Sequence, residues 1–157
     1  MSVPVATQMS FIDTWGRRLL FVSFVYSVMV MILTYSMLAS GMQPPNLVSP
    51  VVFNMYENAY KNWESISGEV INATATSILL LTANSISLFF NLVFGLLINV
   101  ATSFIWLGYV ASMYLPGPLA VLRIPIWMTA FTANIVLLMY LIDVIFQAFR
   151  QVIFTIG

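Results

Sequence analysis

One stretch of the chain, from Val70 to Leu122, contains no Asp, Glu, Lys, Arg or His. Over the whole sequence 61% of the residues are hydrophobic and 6% are charged, whereas an ordinary soluble domain has about 25% charged residues. A chain of this composition cannot cover a folded core with a water-compatible surface. The sequence therefore predicts a single membrane domain over residues 1–157.

The absence of two residue types narrows the range of possible functions. The sequence has no Cys and no His, and these residues supply most protein ligands of transition metals, haem and iron–sulfur clusters and many general acid–base groups. The net charge is zero, so neither a nucleic-acid footprint nor a polybasic membrane tether is indicated. We expect no enzymatic activity, no cofactor, no metal site and no nucleic-acid partner.

The first apolar segment, residues 19–40, follows a mildly polar lead-in at residues 1–18. Its length matches the roughly 20 residues that cross a bilayer core and exceeds the roughly 7–15 apolar residues of a secretory signal. We therefore expect a retained transmembrane helix rather than a cleaved signal peptide. Arg17 and Arg18 precede this segment and are interpreted as positive-inside anchors, which places the N-terminus on the cytoplasmic side.

A turn and an amphipathic helix are predicted next. Pro44 and Pro45 indicate a turn over residues 41–49, after which Ser49 suits a helix N-cap and Pro50 the first helical position. In residues 50–69, apolar side chains recur at three- and four-residue steps opposite a face that carries three Glu and one Lys. This helix either binds a soluble partner or rests on neighbouring helices at the membrane interface, and the second interpretation is favoured.

The second half of the chain contains either one long helix or a helical hairpin over residues 70–114. Residues 70–114, if continuously helical, extend about 67 Å, twice the thickness of the hydrocarbon core. One long helix is favoured, and a hairpin near Asn84 and Ser85 is the alternative. Residues 115–125 form a predicted Pro/Gly turn, residues 126–150 a last apolar segment and residues 151–157 a tail. The predicted fold is an all-α polytopic membrane protein with three transmembrane helices, or four with the hairpin, and an amphipathic helix before the second span.

A seam of small and polar residues follows one side of the long helix. Its members lie close to one line at 100° per residue, and Leu, Ile, Val and Phe fill the other sides. Small and polar residues let membrane helices approach closely and hydrogen-bond to one another. In a homo-oligomer the same seam could line a water-filled pore, but packing is favoured. The seam comprises Ser77, Asn84, Asn91, Gly95, Asn99 and Thr102.

Asp143 is the one acidic residue inside a predicted membrane span. An intramembrane carboxylate suggests an ion or proton site. Gln147 follows one turn later and Arg150 two turns later, so pairing with these polar groups is the favoured interpretation. Asp143, Gln147 and Arg150 are thus a candidate intramembrane polar site.

Basic and aromatic residues mark the predicted membrane interfaces. They are Arg17, Arg18, Trp63, Trp106 and Arg123. With catalysis excluded, the sequence predicts a structural subunit of a large membrane-containing assembly, in a cellular membrane or a lipid-containing virion. Its partners are other membrane helices, from the same or other subunits, and lipids. The alternative is a small homo-oligomeric pore of holin-like size.

Overall fold

A computed structural model describes the backbone of residues 5–43, 47–69 and 75–156, and the side chains of residues 12–43, 47–68 and 78–152. The described residues form four α-helices and one 3₁₀ helix. They are α1 (Val5–Ala39), α2 (Pro50–Glu69), α3 (Ala75–Met113), the 3₁₀ helix (Gly117–Leu122) and α4 (Arg123–Ile156). The all-α prediction is confirmed.

Three segments of these helices are long and apolar enough to cross a membrane: Ile12–Ala39, Ile78–Met113 and Gly117–Val152. In their most apolar windows only 22%, 22% and 17% of the residues are buried. The outer surface is therefore largely hydrocarbon, as lipid solvation requires and water does not tolerate. The described part of the chain has the character of an integral membrane protein.

The helix boundaries follow local chemistry. The Ser49 hydroxyl accepts a long hydrogen bond of 3.4 Å from the Val52 amide at the start of α2. The helix α3 continues without a break through Asn84 and Ser85. The helix α4 begins at Arg123, inside the turn predicted for residues 115–125, because Pro125 occupies the first helical turn, where its missing amide hydrogen costs nothing.

A Schellman motif ends α1. The Met42 amide donates to the Met37 carbonyl at 2.9 Å and the Gly41 amide to the Leu38 carbonyl at 3.0 Å, with Gly41 at φ 67°. We expect Gly41→Ala to lower the free energy of unfolding by about 1–2 kcal/mol, because a Cβ is strained in the left-handed region. Gly41→Asn is the control and should cost less, since Asn tolerates this region. Thermal unfolding in lipid nanodiscs measures the difference, and equal stability of wild type and Gly41→Ala would contradict the assignment.

The chain divides into two compact units, a terminal unit (residues 1–25 and 101–157) and a central unit (residues 26–100). In the central unit the core consists of Val30, Val48, Val52 and Tyr56. The Tyr26 hydroxyl donates to the Leu47 carbonyl at 2.6 Å, and the Tyr35 and Tyr56 rings lie 6.3 Å apart. Both contacts join residues at the same sequence offset, so α2 runs parallel to the second half of α1.

Because of this parallel arrangement, the residues just before α2 lie beside the middle of α1. Tyr26 lies thirteen residues before the end of α1 at Ala39, which corresponds to about 20 Å of helix. Leu47 therefore lies beside the middle of α1 rather than beyond its end. As a result α2 lies against α1 and, as described below, against α3.

In the terminal unit, α3 and α4 pack antiparallel. A Cβ at Gly108 would lie 2.5 Å from the Ala130 Cβ, so the two backbones approach closely. The Trp127 indole donates to the Ser112 hydroxyl at 3.3 Å. The Arg123 guanidinium donates to the Leu115 carbonyl at 3.2 Å, which closes the connection between these helices.

Candidate helix-packing site

The seam predicted on α3 is turned toward α2 within the central unit. Asn84 and Asn91 are half-buried, and Gly95 and Asn99 are buried. Thr102 is half-buried and belongs to the terminal unit, while the side chain of Ser77 lies outside the described residues. The partner that covers the seam from Asn84 to Asn99 is thus a helix of the same chain.

Two side-chain hydrogen bonds join α2 and α3. The Asn62 amide donates to the Ser87 hydroxyl at 2.9 Å, and the Asn84 amide donates to the Ser65 hydroxyl at 3.0 Å. Asn91 instead donates within α3, to the Ser87 carbonyl at 2.9 Å. Since sequence numbers rise on α2 as they fall on α3, these contacts fix an antiparallel register for the two helices.

Gly95 allows α2 to approach α3 closely. A Cβ at this position would lie 2.8 Å from Cε1 and 3.2 Å from Cδ1 of Tyr56. The Tyr56 ring therefore lies directly on the α3 backbone, and its residue is 0% exposed. Tyr35 of α1 packs against Tyr56 and also lies 6.2 Å from the Tyr60 ring, so Tyr56 links all three helices of the central unit.

Burial raises the pKa of Tyr56 from 10.0 to about 12, while the Asn99 amide lowers this pKa and the neighbouring Tyr35 raises it. Between pH 10 and 12 the folded chain keeps a proton that the unfolded chain has released. The contribution of this burial to stability is thus complete below pH 10 and is lost as the pH rises through 12.

We therefore expect unfolding in nanodiscs to become easier between pH 10 and 12, and Tyr56→Phe to lack part of this loss of stability. Tyr114 is 80% exposed, and Tyr114→Phe is the matched control for the loss of a tyrosine hydroxyl. Chemical denaturation at a series of pH values measures the effect. Parallel profiles for wild type and Tyr56→Phe would contradict the assignment.

A second line of small polar residues, on α1, was not identified from the sequence. Ser23, Ser27 and Thr34 are buried, with Val30 between them. In the terminal unit the Ser23 and Ser103 hydroxyls lie 2.7 Å apart and share a hydrogen bond, whereas the Thr34 hydroxyl donates to the Val30 carbonyl at 2.8 Å. The spacing of four, three and four residues was the available signal, because it places all four residues on one helix face.

The candidate polar site on α4 is exposed. The Gln147 amide donates to the Asp143 carboxylate at 2.7 Å, so Asp143 is paired with Gln147. The ion pairs among the described residues are Asp13–Arg17 at 3.0 Å and Glu57–Lys61 at 2.8 Å, and Arg150 is not in them. The described residues contain no group of three or more His, Cys, Asp or Glu side chains placed to hold a metal ion.

The predicted interface residues have different environments. Arg17 is exposed and bonded to Asp13, and the Arg18 guanidinium lies 5.6 Å from the centre of the Trp15 ring. Trp63 is 57% exposed on α2. Trp106 is half-buried, with its ring 4.9 Å from that of Tyr109. The side chains of Arg18 and Trp63 each combine an apolar part with a polar or charged end, so both suit the lipid headgroup region.

An apolar groove lies between α3 and α4 in the terminal unit. Its volume is about 600 Å³, and small side chains such as Ala111, Thr129, Ala130 and Ala133 form much of its wall. Such a surface suits hydrocarbon. Comparison of the chain with protein-family models, curated protein sequences and solved structures found no match.

Proposed function

We propose that this chain is a non-catalytic structural subunit of a membrane-embedded assembly and acts through helix packing. It crosses the membrane three times, through α1, α3 and α4, and α2 is an amphipathic helix that covers the polar side of α3. The assembly is a multisubunit membrane complex or the coat of a lipid-containing virion or filament. The N-terminus lies on the cytoplasmic side, where Arg17 and Arg18 anchor it.

The observation that carries this proposal is the surface of α4. Every residue from Ile142 to Val152 is exposed. Asp143, Gln147 and Arg150 recur there at four- and three-residue steps, so they share one face of the helix, between apolar residues such as Phe146 and Phe149. Polar and charged groups facing hydrocarbon are costly. We propose a helix from another protein chain, with polar groups of its own, as the partner of this face.

The alternative function is a homo-oligomeric pore with the α3 seam facing the axis. In that arrangement α2 would have to leave the seam and give up the Asn62–Ser87 and Asn84–Ser65 hydrogen bonds. The ring of Tyr56 would also have to leave Gly95. These contacts favour the structural proposal, because Asn84 and Asn91 of the seam already have hydrogen-bond partners inside one chain.

The proposal is tested by extracting the protein from membranes in polymer nanodiscs and measuring the mass of the particle. We expect a defined assembly of several chains and no ion conductance after reconstitution into planar bilayers. Replacing Asp143 and Gln147 together with Leu should weaken the assembly about 5- to 30-fold, as the loss of one to two kcal/mol of polar contact predicts. Ile145→Leu is the matched control. A monomer in every preparation, or a reproducible conductance, would refute the proposal.

A further inference from the structure

The central unit contains four buried polar atoms that have no hydrogen-bond partner among the described residues. They are the hydroxyl oxygens of Ser27, Tyr35 and Tyr56 and the amide nitrogen of Asn99. Tyr56 is 0% exposed and Asn99 is 1% exposed. Buried polar groups in folded proteins are nearly always paired, and leaving one unpaired costs free energy. Such atoms are therefore candidates to bind a polar molecule.

Three of these groups converge from three helices. The Tyr35 ring on α1 lies 6.3 Å from the Tyr56 ring on α2, and the Tyr56 ring lies on Gly95 of α3. Aromatic side chains in helices lean toward the helix N-terminus. Because α1 and α2 are parallel and α3 is antiparallel to them, both hydroxyls lean toward the turn of α3 that follows Gly95. That turn carries Asn99.

The Asn99 amide lies within hydrogen-bonding range of the Tyr56 hydroxyl, but this contact does not reach the distance and angle of a well-formed hydrogen bond. Asn99 is close enough to lower the pKa of Tyr56 against the larger effect of burial. Both atoms nevertheless lack a partner at hydrogen-bond geometry. Buried polar groups that pair with each other this poorly commonly gain water as a further partner, and a buried water typically makes two to four hydrogen bonds.

We propose that Tyr35, Tyr56 and Asn99 bind one ordered water molecule between α1, α2 and α3. The water accepts a hydrogen bond from the Asn99 amide nitrogen and one from a tyrosine hydroxyl, and it donates to the oxygen of the other tyrosine. A metal ion does not suit this site, since the unpaired atom of Asn99 is a donor. The water thus joins the ends of three side chains that packing alone leaves unpaired.

Removing a tyrosine hydroxyl should destabilise the protein if the water is bound and stabilise it if the site is dry, and this difference tests the proposal. In the full-length protein in nanodiscs, Tyr35→Phe and Tyr56→Phe should each lower the ratio of folded to unfolded protein about fivefold, because the water loses one partner. In a dry site the same substitutions remove an unpaired hydroxyl and raise that ratio. Tyr114→Phe is the matched control and should leave the ratio unchanged. An increase for both buried variants would overturn the proposal.

A second measurement detects the water itself. Nuclear magnetic resonance of the labelled protein should show magnetisation transfer from a long-lived water to the Tyr56 ring and to the Asn99 side-chain amide. Tyr56→Phe should reduce the transfer to Asn99. No transfer to either group would overturn the proposal. Stability that changes when sodium replaces choline at constant ionic strength would also overturn it, because a cation would then occupy the site.

Discussion

Gly95→Ala is expected to lower the free energy of unfolding by about 1–3 kcal/mol, the usual cost of overpacking a filled interior. The new Cβ would lie 2.8 Å from Cε1 of Tyr56, and the ring cannot turn aside because it is buried between α1 and α3. Helix propensity acts in the opposite direction, since alanine favours a helix over glycine by about 1 kcal/mol. A net loss therefore reports the contact with Tyr56.

Gly68→Ala is the matched control for this substitution. Gly68 also lies in a helix, but apart from its own helix turn and chain neighbours no atom comes within 4 Å of the position that its Cβ would take. We expect this variant to be as stable as wild type or more stable, by up to about 1 kcal/mol. Unfolding of both variants in nanodiscs, followed by circular dichroism, gives the comparison. Equal gains at both positions would contradict the packing of Tyr56 on Gly95.

Tyr56→Ala should have the larger effect, a loss of about 3–5 kcal/mol, as for other large aromatic side chains removed from a core. The residue is 0% exposed and belongs to the core cluster with Val30, Val48 and Val52. Its removal leaves a cavity between three helices and releases α2 from α3. Hydrogen exchange of the α2 amides should accelerate together with the loss of stability.

Tyr114→Ala is the control for this second substitution, because Tyr114 is 80% exposed and its removal should cost little.

The effects of Gly95→Ala and Tyr56→Ala on the free energy of unfolding should not be additive. In a Tyr56→Ala background, Gly95→Ala should no longer destabilise, since the ring that it meets is gone. If the effects of the two substitutions add, the ring does not lie on Gly95, and the register of α2 on α3 is different.

Local sequence patterns predict the helices but not which helices pack against each other. Ser49 and Pro50 mark the start of α2, and the absence of charge from Val70 to Leu122 predicts the long apolar helix α3. Periodicity also predicts that the side of α3 with Asn84 and Gly95 packs against a helix. It does not say which helix, because a face of small polar residues suits any partner with matching groups.

The direction of α2 is a second feature that local patterns do not encode. Its direction follows from contacts such as the hydrogen bond from the Tyr26 hydroxyl to the Leu47 carbonyl, which joins residues 21 apart in sequence. The polar line on α1 was missed for a different reason. Ser23, Ser27 and Thr34 lie in a segment whose mean hydropathy is high. The many apolar residues around them make the helix face that they share hard to recognise from the sequence.

The most direct test of the account is disulfide formation between α2 and α3 in the membrane. The chain has no Cys, so a pair can be introduced without background. Ser65→Cys with Asn84→Cys replaces side chains whose polar atoms lie 3.0 Å apart. Asn54→Cys with Asn84→Cys is the control, because Asn54 is exposed on α2 about three turns from Ser65. If α2 covers the seam, oxidation gives a disulfide within one chain for the first pair and none for the control. Disulfides between chains at the first pair, with no product within one chain, would show that the seam faces other subunits and would contradict the account.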